Sequence, residues 1–205
     1  MVSDDFRGAL FILAGMLIFS VQDVLIRQLS DGGSLLQVLT MRGVLGALVI
    51  SIFVKLTGRQ LTISSSYPFL AASRVVLFFI GFLCFYFALS KMRLAEATAL
   101  FFASPLFITA ISKIVLKETV GTYRVAAMII GFLGVILIVQ PSPDEFNAIA
   151  IFPLFTALTY SISMMIARYT KEKDTVWQQM LHLYIGSALF AGVASLFLYI
   201  LGLEI

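Results

Sequence analysis

Broad apolar runs separated by brief polar clusters make up the whole chain. Stretches free of Asp, Glu, Lys and Arg cover residues 8–22, 43–54, 75–90, 97–112, 125–143, 146–167 and 175–203. A membrane-spanning helix needs about 20 largely apolar residues. Allowing a few polar residues inside each end, the pattern predicts seven helices near 7–29, 35–56, 68–90, 94–114, 120–140, 148–169 and 176–201. The runs lack the two-residue alternation of barrel strands, so the expected fold class is an all-α integral membrane bundle.

Local punctuation agrees with these boundaries. Pro68 follows Ser64, Ser65 and Ser66, a cap-then-proline helix start. Pro141 and Pro143 are expected to stop the fifth helix, Asn147 to cap the sixth, and Asp174 or Thr175 to cap the seventh. The loops are short and leave no room for a soluble domain. The N-terminus carries two acids and one base before a long apolar stretch with no evident small-residue cleavage site. It is therefore expected to be a retained spanning helix rather than a signal peptide.

Composition strengthens this picture. Of the 205 residues, 60% are hydrophobic and 12% charged, and the mean hydropathy is +1.04. Soluble domains carry about twice that share of charge, so a soluble enzyme is excluded. The net charge of +3 comes from singly spread Lys and Arg, without the basic stripe of a nucleic-acid binder. With the N-terminus inside, Arg7, Lys55, Arg59, Lys113, Lys117, Arg124, Arg168, Lys171 and Lys173 face the cytoplasm, against Arg27, Lys91 and Arg93 outside. Nine against three favours that orientation in a cytoplasmic membrane. Cys84 is the single cysteine, which excludes an intrachain disulfide.

Sliding the chain by 141 residues superimposes the first two helices on the last two. Ser20, Arg27 and Gln37 then meet Ser161, Arg168 and Gln178, and Phe11, Leu13, Leu17, Ala47 and Leu48 meet Phe152, Leu154, Leu158, Ala188 and Leu189. The copies are offset by five helices, an odd number, so the second enters the membrane from the opposite face. Inverted repeats of this kind are typical of secondary transporters.

Residues 19–30, Arg42 and the block from Lys91 to Pro141 stand out together, and in them the chain resembles the drug/metabolite transporter superfamily, specifically its EamA-type proteins. That block holds Ala95, Ala97 and Pro105 in one helix, Glu118, Gly121 and Arg124 in the following loop, and Gly131 and Gly134 in the next helix. The family is built from two five-helix repeats. The resemblance therefore implies a complete first repeat over 1–141 and a partial, two-helix second repeat over 147–205. It implies a transporter that moves a small metabolite or drug by alternating access, without covalent chemistry and without a cofactor. Implied partners are a small-molecule substrate and the lipid bilayer. A chain that stopped after two helices of the second repeat would have to form a homodimer to complete a cavity, or else be a non-transporting fragment. A membrane enzyme fits less well, since G-x-S-x-G and HExxH motifs are absent and there is one histidine. A retinal receptor is also disfavoured, because 175–205 contains no lysine.

Ionisable groups inside lipid are costly, and each is a candidate functional group. Asp23 and Arg42 fall at similar depth near one side of the membrane, roughly 9–10 Å from its surface at 1.5 Å per residue. An ion pair or substrate contact stands against a local reading in which Asp23 pairs with Arg27 and both reach the headgroups. Arg74 lies near the other side. Either it snorkels to the headgroups or it lines a cavity suited to an anionic or zwitterionic substrate, with the two arginines serving opposite access states. Tyr86, with Phe79 and Phe82 on one helix face, either stacks on a planar substrate or belongs to a core stripe. Thr98 and Phe102 precede Pro105, whose missing donor predicts a kink that lines a cavity or merely fits a packing contact. The expected substrate-binding set is thus Asp23, Arg42, Arg74, Tyr86, Thr98 and Phe102. Glu96 reads as a partner for Lys91 or Arg93, Glu118 as part of a surface network, and His182 as a packing residue. Ala127, Gly131 and Gly134 form a small-residue face for internal packing or a dimer.

Overall fold

The computed structural model describes residues 4–31, 34–60, 62–115, 121–139 and 148–202. Within them the chain is an all-α bundle: α1 (Asp4–Asp31), α2 (Leu35–Leu56), α3 (Pro68–Leu89), α4 (Leu94–Phe101), α5 (Ser104–Val115), α6 (Thr122–Val139), α7 (Ile151–Thr170, preceded by a 3-10 turn at Ala148–Ala150) and α8 (Val176–Ile200). Six of the seven expected helices appear within about three residues of their predicted ends. The fourth is divided. Helix α4 ends at Phe101 and α5 restarts at Ser104, with Pro105 in its first turn. The proline cannot donate to the carbonyl four residues back, and the Phe102 and Ala103 amides fall back on the Thr98, Ala99 and Leu100 carbonyls. The expected kink is therefore a full break.

Five stretches are long and apolar enough to cross a membrane: Leu35–Leu56, Pro68–Leu89, Leu94–Val115, Ala148–Thr170 and Val176–Ile200. Helices α1 and α6 contain shorter apolar stretches, Leu13–Ile26 and Val125–Gly134. Large apolar side chains face outward along most helices, such as Phe11, Leu48, Phe69 and Leu196. In water that surface would be prohibitive; in lipid it is the solvated side.

The main pairings are α2 on α8 and α3 on α7. Both are antiparallel. Along α2 and α8, Phe53 meets Trp177, Gly43 meets Ala188 and Thr40 meets Gly192. Along α3 and α7, Tyr67 meets Tyr169, Gly81 meets Thr156 and Thr159, and Phe87 meets Phe152. Missing side chains allow these close approaches. A Cβ on Gly43 would sit 2.7 Å from that of Ala188, and one on Gly81 2.6 Å from the Thr159 hydroxyl. Gly46 and Gly186 are filled in the same way by Tyr184 and Val75. Lipid offers no hydrophobic drive for helix pairing, so such contact depends on small residues and on interhelical hydrogen bonds. Thr156 supplies one, donating to the Gly81 carbonyl at 2.9 Å, and Ser161 another, to the Ser104 carbonyl at 3.0 Å. Ser161 thus docks α7 where the α4–α5 break leaves room.

An apolar core around Ile26, Leu36, Leu39, Phe85, Leu89, Ala97 and Ala191 fills one end of the bundle. The opposite end carries Lys55, Arg59, Arg168, Lys171 and Lys173 and is called the basic end below. Gly131 and Gly134 have nothing within 4 Å where a Cβ would be, and Ala127 is exposed, so among the described residues this small face of α6 meets no close neighbour. The expected roles of Pro141, Pro143, Asn147, Lys117 and Glu118 fall outside the described residues.

Candidate functional site

The sequence candidates separate into two polar sites at different depths. The first joins α1, α2, α3 and α8. Tyr86 is buried on α3 and donates its hydroxyl to Asp23 Oδ1 on α1 at 2.9 Å. Its ring packs edge-on against Phe85 and tilted against Phe82. Arg42, on α2, acts electrostatically on Asp23, and among the described residues the two are not in ion-pair contact. Its guanidinium instead lies over the Phe82 ring, 4.4 Å from the centroid, with Tyr184 of α8 at 5.9 Å. The ring faces offer the cation their negative quadrupole, so the guanidinium is held by stacking rather than by a carboxylate. Its Nε is buried and makes no hydrogen bond. An unsatisfied buried donor costs about 1–3 kcal/mol, so its persistence calls for a reason. Phe79 stacks on Phe190 beside this cluster, extending an aromatic wall between α3 and α8.

Thr98 and Phe102 do not join it. Thr98 is half-buried on α4, and its backbone carbonyl takes the Phe102 amide. Phe102 is 48% exposed beside the helix break. Neither shares a hydrogen bond or ring contact with Asp23, Arg42 or Tyr86 among the described residues. Tyr184 was not anticipated, since it sits in an unremarkable apolar run. Its one signal is position: the 141-residue shift places it opposite Gly43, the neighbour of Arg42.

The second site is at the basic end. Arg74 does not snorkel outward. It is 7% exposed and turns into the bundle, donating to the Gln179 carbonyl at 3.3 Å and to Gln179 Oε1 at 3.2 Å. Gln179 is fixed in turn, its amide donating to the Thr170 hydroxyl and the Asp174 carbonyl. Arg74 Nε is a second buried donor with no partner. Beside it lies a cavity of about 10 Å³ lined by Ala71, Arg74, Thr170, Gln179 and His182 among others, space for a single water.

Over this cavity the α2–α3 connection is tied to the α7–α8 turn. Asp174 Oδ2 accepts from the Ser65 hydroxyl at 2.5 Å, and Oδ1 from the Ser66 amide at 2.9 Å. The Gln178 side chain donates to the Ser64 carbonyl, and His182 Nε2 lies 2.5 Å from the Ile63 carbonyl. Burial works against the charge of Asp174. The Ser65 and Ser66 donors outweigh it and, with His182 adding, hold the carboxyl below its usual range. Of the two expected caps of α8, Thr175 is the one used: it accepts from the Gln178 amide, and Gln178 returns the bond, in a capping box. Asp174 is thereby left for the strap. Glu96 pairs with Arg93, as the sequence suggests.

No solved structure matches the chain. Among curated proteins, it is 24% identical over 190 residues to an S-adenosylmethionine uptake transporter of Rickettsia prowazekii, covering 93% of this chain and 63% of that protein. It is 35% identical over 135 residues to a riboflavin transporter of Rhizobium johnstonii, covering 62% of this chain and 45% of that one. A riboflavin transporter of Vibrio cholerae is 34% identical over 101 residues. The chain thus spans less than two thirds of the length of these relatives. A family model described as the EamA-like transporter family matches residues 6–140, through α1 to α6. The chain belongs to the EamA-like transporter family.

Proposed function

We propose that the chain carries the substrate path of a metabolite transporter, and that Asp23, Tyr86 and Arg42 bind substrate within it. The carrying observation is Arg42: a cation among aromatic rings, with a buried donor left unpaired. An anionic or zwitterionic substrate with a planar ring satisfies both features, its charge meeting the guanidinium and its ring the Phe82–Tyr184 wall. The relatives named for S-adenosylmethionine and riboflavin both handle molecules with planar heterocycles, which supports that class. The antiparallel α2–α8 pairing supports an inverted repeat, since the 141-residue shift relates these two helices. The repeat then divides the chain into a first unit over 1–141 and a second, two-helix unit over 147–205. In this reading the membrane is a bacterial inner membrane with the basic end in the cytoplasm.

The test is uptake of radiolabelled S-adenosylmethionine and riboflavin by cells expressing the chain. Arg42→Ala at matched membrane abundance is expected to cut uptake at least tenfold, and Phe82→Leu to raise the KM. Wild-type uptake in both variants would overturn the assignment.

A further inference from the structure

We propose that residues 63–67 form a removable strap that closes the basic end of the bundle over Arg74, and that its release presents the Arg74 guanidinium to the anionic group of a substrate. The inference deepens the transport reading above and rests on it.

Three observations converge. Residues 63–66 of the strap are held by polar contacts to one short stretch, 174–182: Ser65 and Ser66 on Asp174, Ser64 on Gln178, and Ile63 on His182, while Tyr67 at its base packs on Tyr169. Ahead of Tyr67 it buries little apolar surface, since Ile63 is 61% exposed. A segment secured by a few hydrogen bonds and little apolar burial can open while the helices beneath stay packed. Directly under it lies an arginine that is buried, unpaired at Nε and flanked by a small cavity. A buried cation with a free donor suits a group that awaits a ligand better than one whose role is only structural, because a structural arginine is normally saturated. Finally, the second cationic site, at Arg42, is roofed by aromatic rings rather than by a polar strap. The two arginines are thus covered differently, so the strap can open over Arg74 without disturbing the rings over Arg42. The structure is the state closed at the basic end.

Cysteine accessibility tests this without requiring transport. Cys84 is the single native thiol, so Cys84→Ser gives a blank background. Ala71→Cys then places one thiol in the wall of the Arg74 cavity. In the full chain in detergent, its reaction with a bulky charged maleimide is expected to be slow, and at least tenfold faster when Ser65→Ala or Asp174→Asn is added. Two graded changes keep the result independent of any one variant folding. An unchanged labelling rate in both overturns the strap. In a second arm, Ser64→Cys with Gln178→Cys is oxidised in membranes. Uptake is expected to stop and to return on reduction; uptake that continues through the disulfide also overturns the proposal. Absence of uptake from the unmodified chain counts against the transport reading alone, and the labelling rates then decide the strap.

Discussion

Asp23, Tyr86 and Arg42 illustrate how far single residues could be read. Depth and charge put Asp23 and Arg42 together, because charge in lipid has few bland explanations, whereas Tyr86 reads only as part of an aromatic face. Which partner each takes was hidden. Arg42 chooses Phe82 over Asp23, and that choice depends on how α2 turns against α3, which no local pattern encodes. Arg74 is a similar case: snorkelling and burial look alike until Gln179 is known to face it. Two expectations belong here. Tyr86→Phe deletes the donor to a partly buried carboxylate and is expected to cost about 1–3 kcal/mol, read as a lower melting midpoint in detergent; Phe85→Leu should leave the Asp23 bond intact. Asp174 governs acid sensitivity. Its carboxyl is held below the usual carboxylate value in the folded chain, so it stabilises the strap at pH values above that usual value. The contribution fades as pH falls through the depressed one. Asp174→Asn should therefore flatten the acid limb of the melting curve while leaving the neutral-to-alkaline limb parallel to wild type.

At the level of helices, the spans were legible and their neighbours were not. Pro68 marked the start of α3, although Tyr67 rather than a serine stands at the N-cap and makes no side-chain cap bond, and the donorless Pro105 marked the α4–α5 boundary, although as a kink rather than a break. Pairing is set by small residues that look alike in sequence. Gly43 and Gly81 are seams, whereas Gly131 and Gly134 face open space, and nothing near them in the chain distinguishes the two groups. Gly81→Val should push α3 off α7 through Thr159 and strain the Thr156 bond, costing about 1–3 kcal/mol as overpacking does. Gly131→Val should be near neutral. Thermal aggregation of the two variants, followed by size-exclusion chromatography, separates these outcomes.

For the whole molecule, the order and class of helices came from hydropathy, while the antiparallel α2–α8 contact did not. The 141-residue shift hinted at a relation between these helices without saying that they touch. The contact is testable directly. A Cβ at Gly192 would lie 3.6 Å from Thr40 Cγ2, so side chains at the two positions adjoin, as a disulfide requires. Thr40→Cys with Gly192→Cys, on the Cys84→Ser background, should cross-link on mild oxidation; Thr40→Cys with Ala157→Cys should not.

The 105-residue separation between Arg74 and Gln179 also carries a cost in time. A chain made at about 5–20 residues per second leaves Arg74 without its partner for roughly 5–20 seconds after α3 has emerged. An arginine at a helix centre costs about 2.5–3.5 kcal/mol on insertion, and Arg74, six residues from the start of α3, bears part of that cost until Gln179 reaches it. That cost is relieved when α8 brings Gln179 against the guanidinium. The Arg74 site is thereby completed only once α8 has been made.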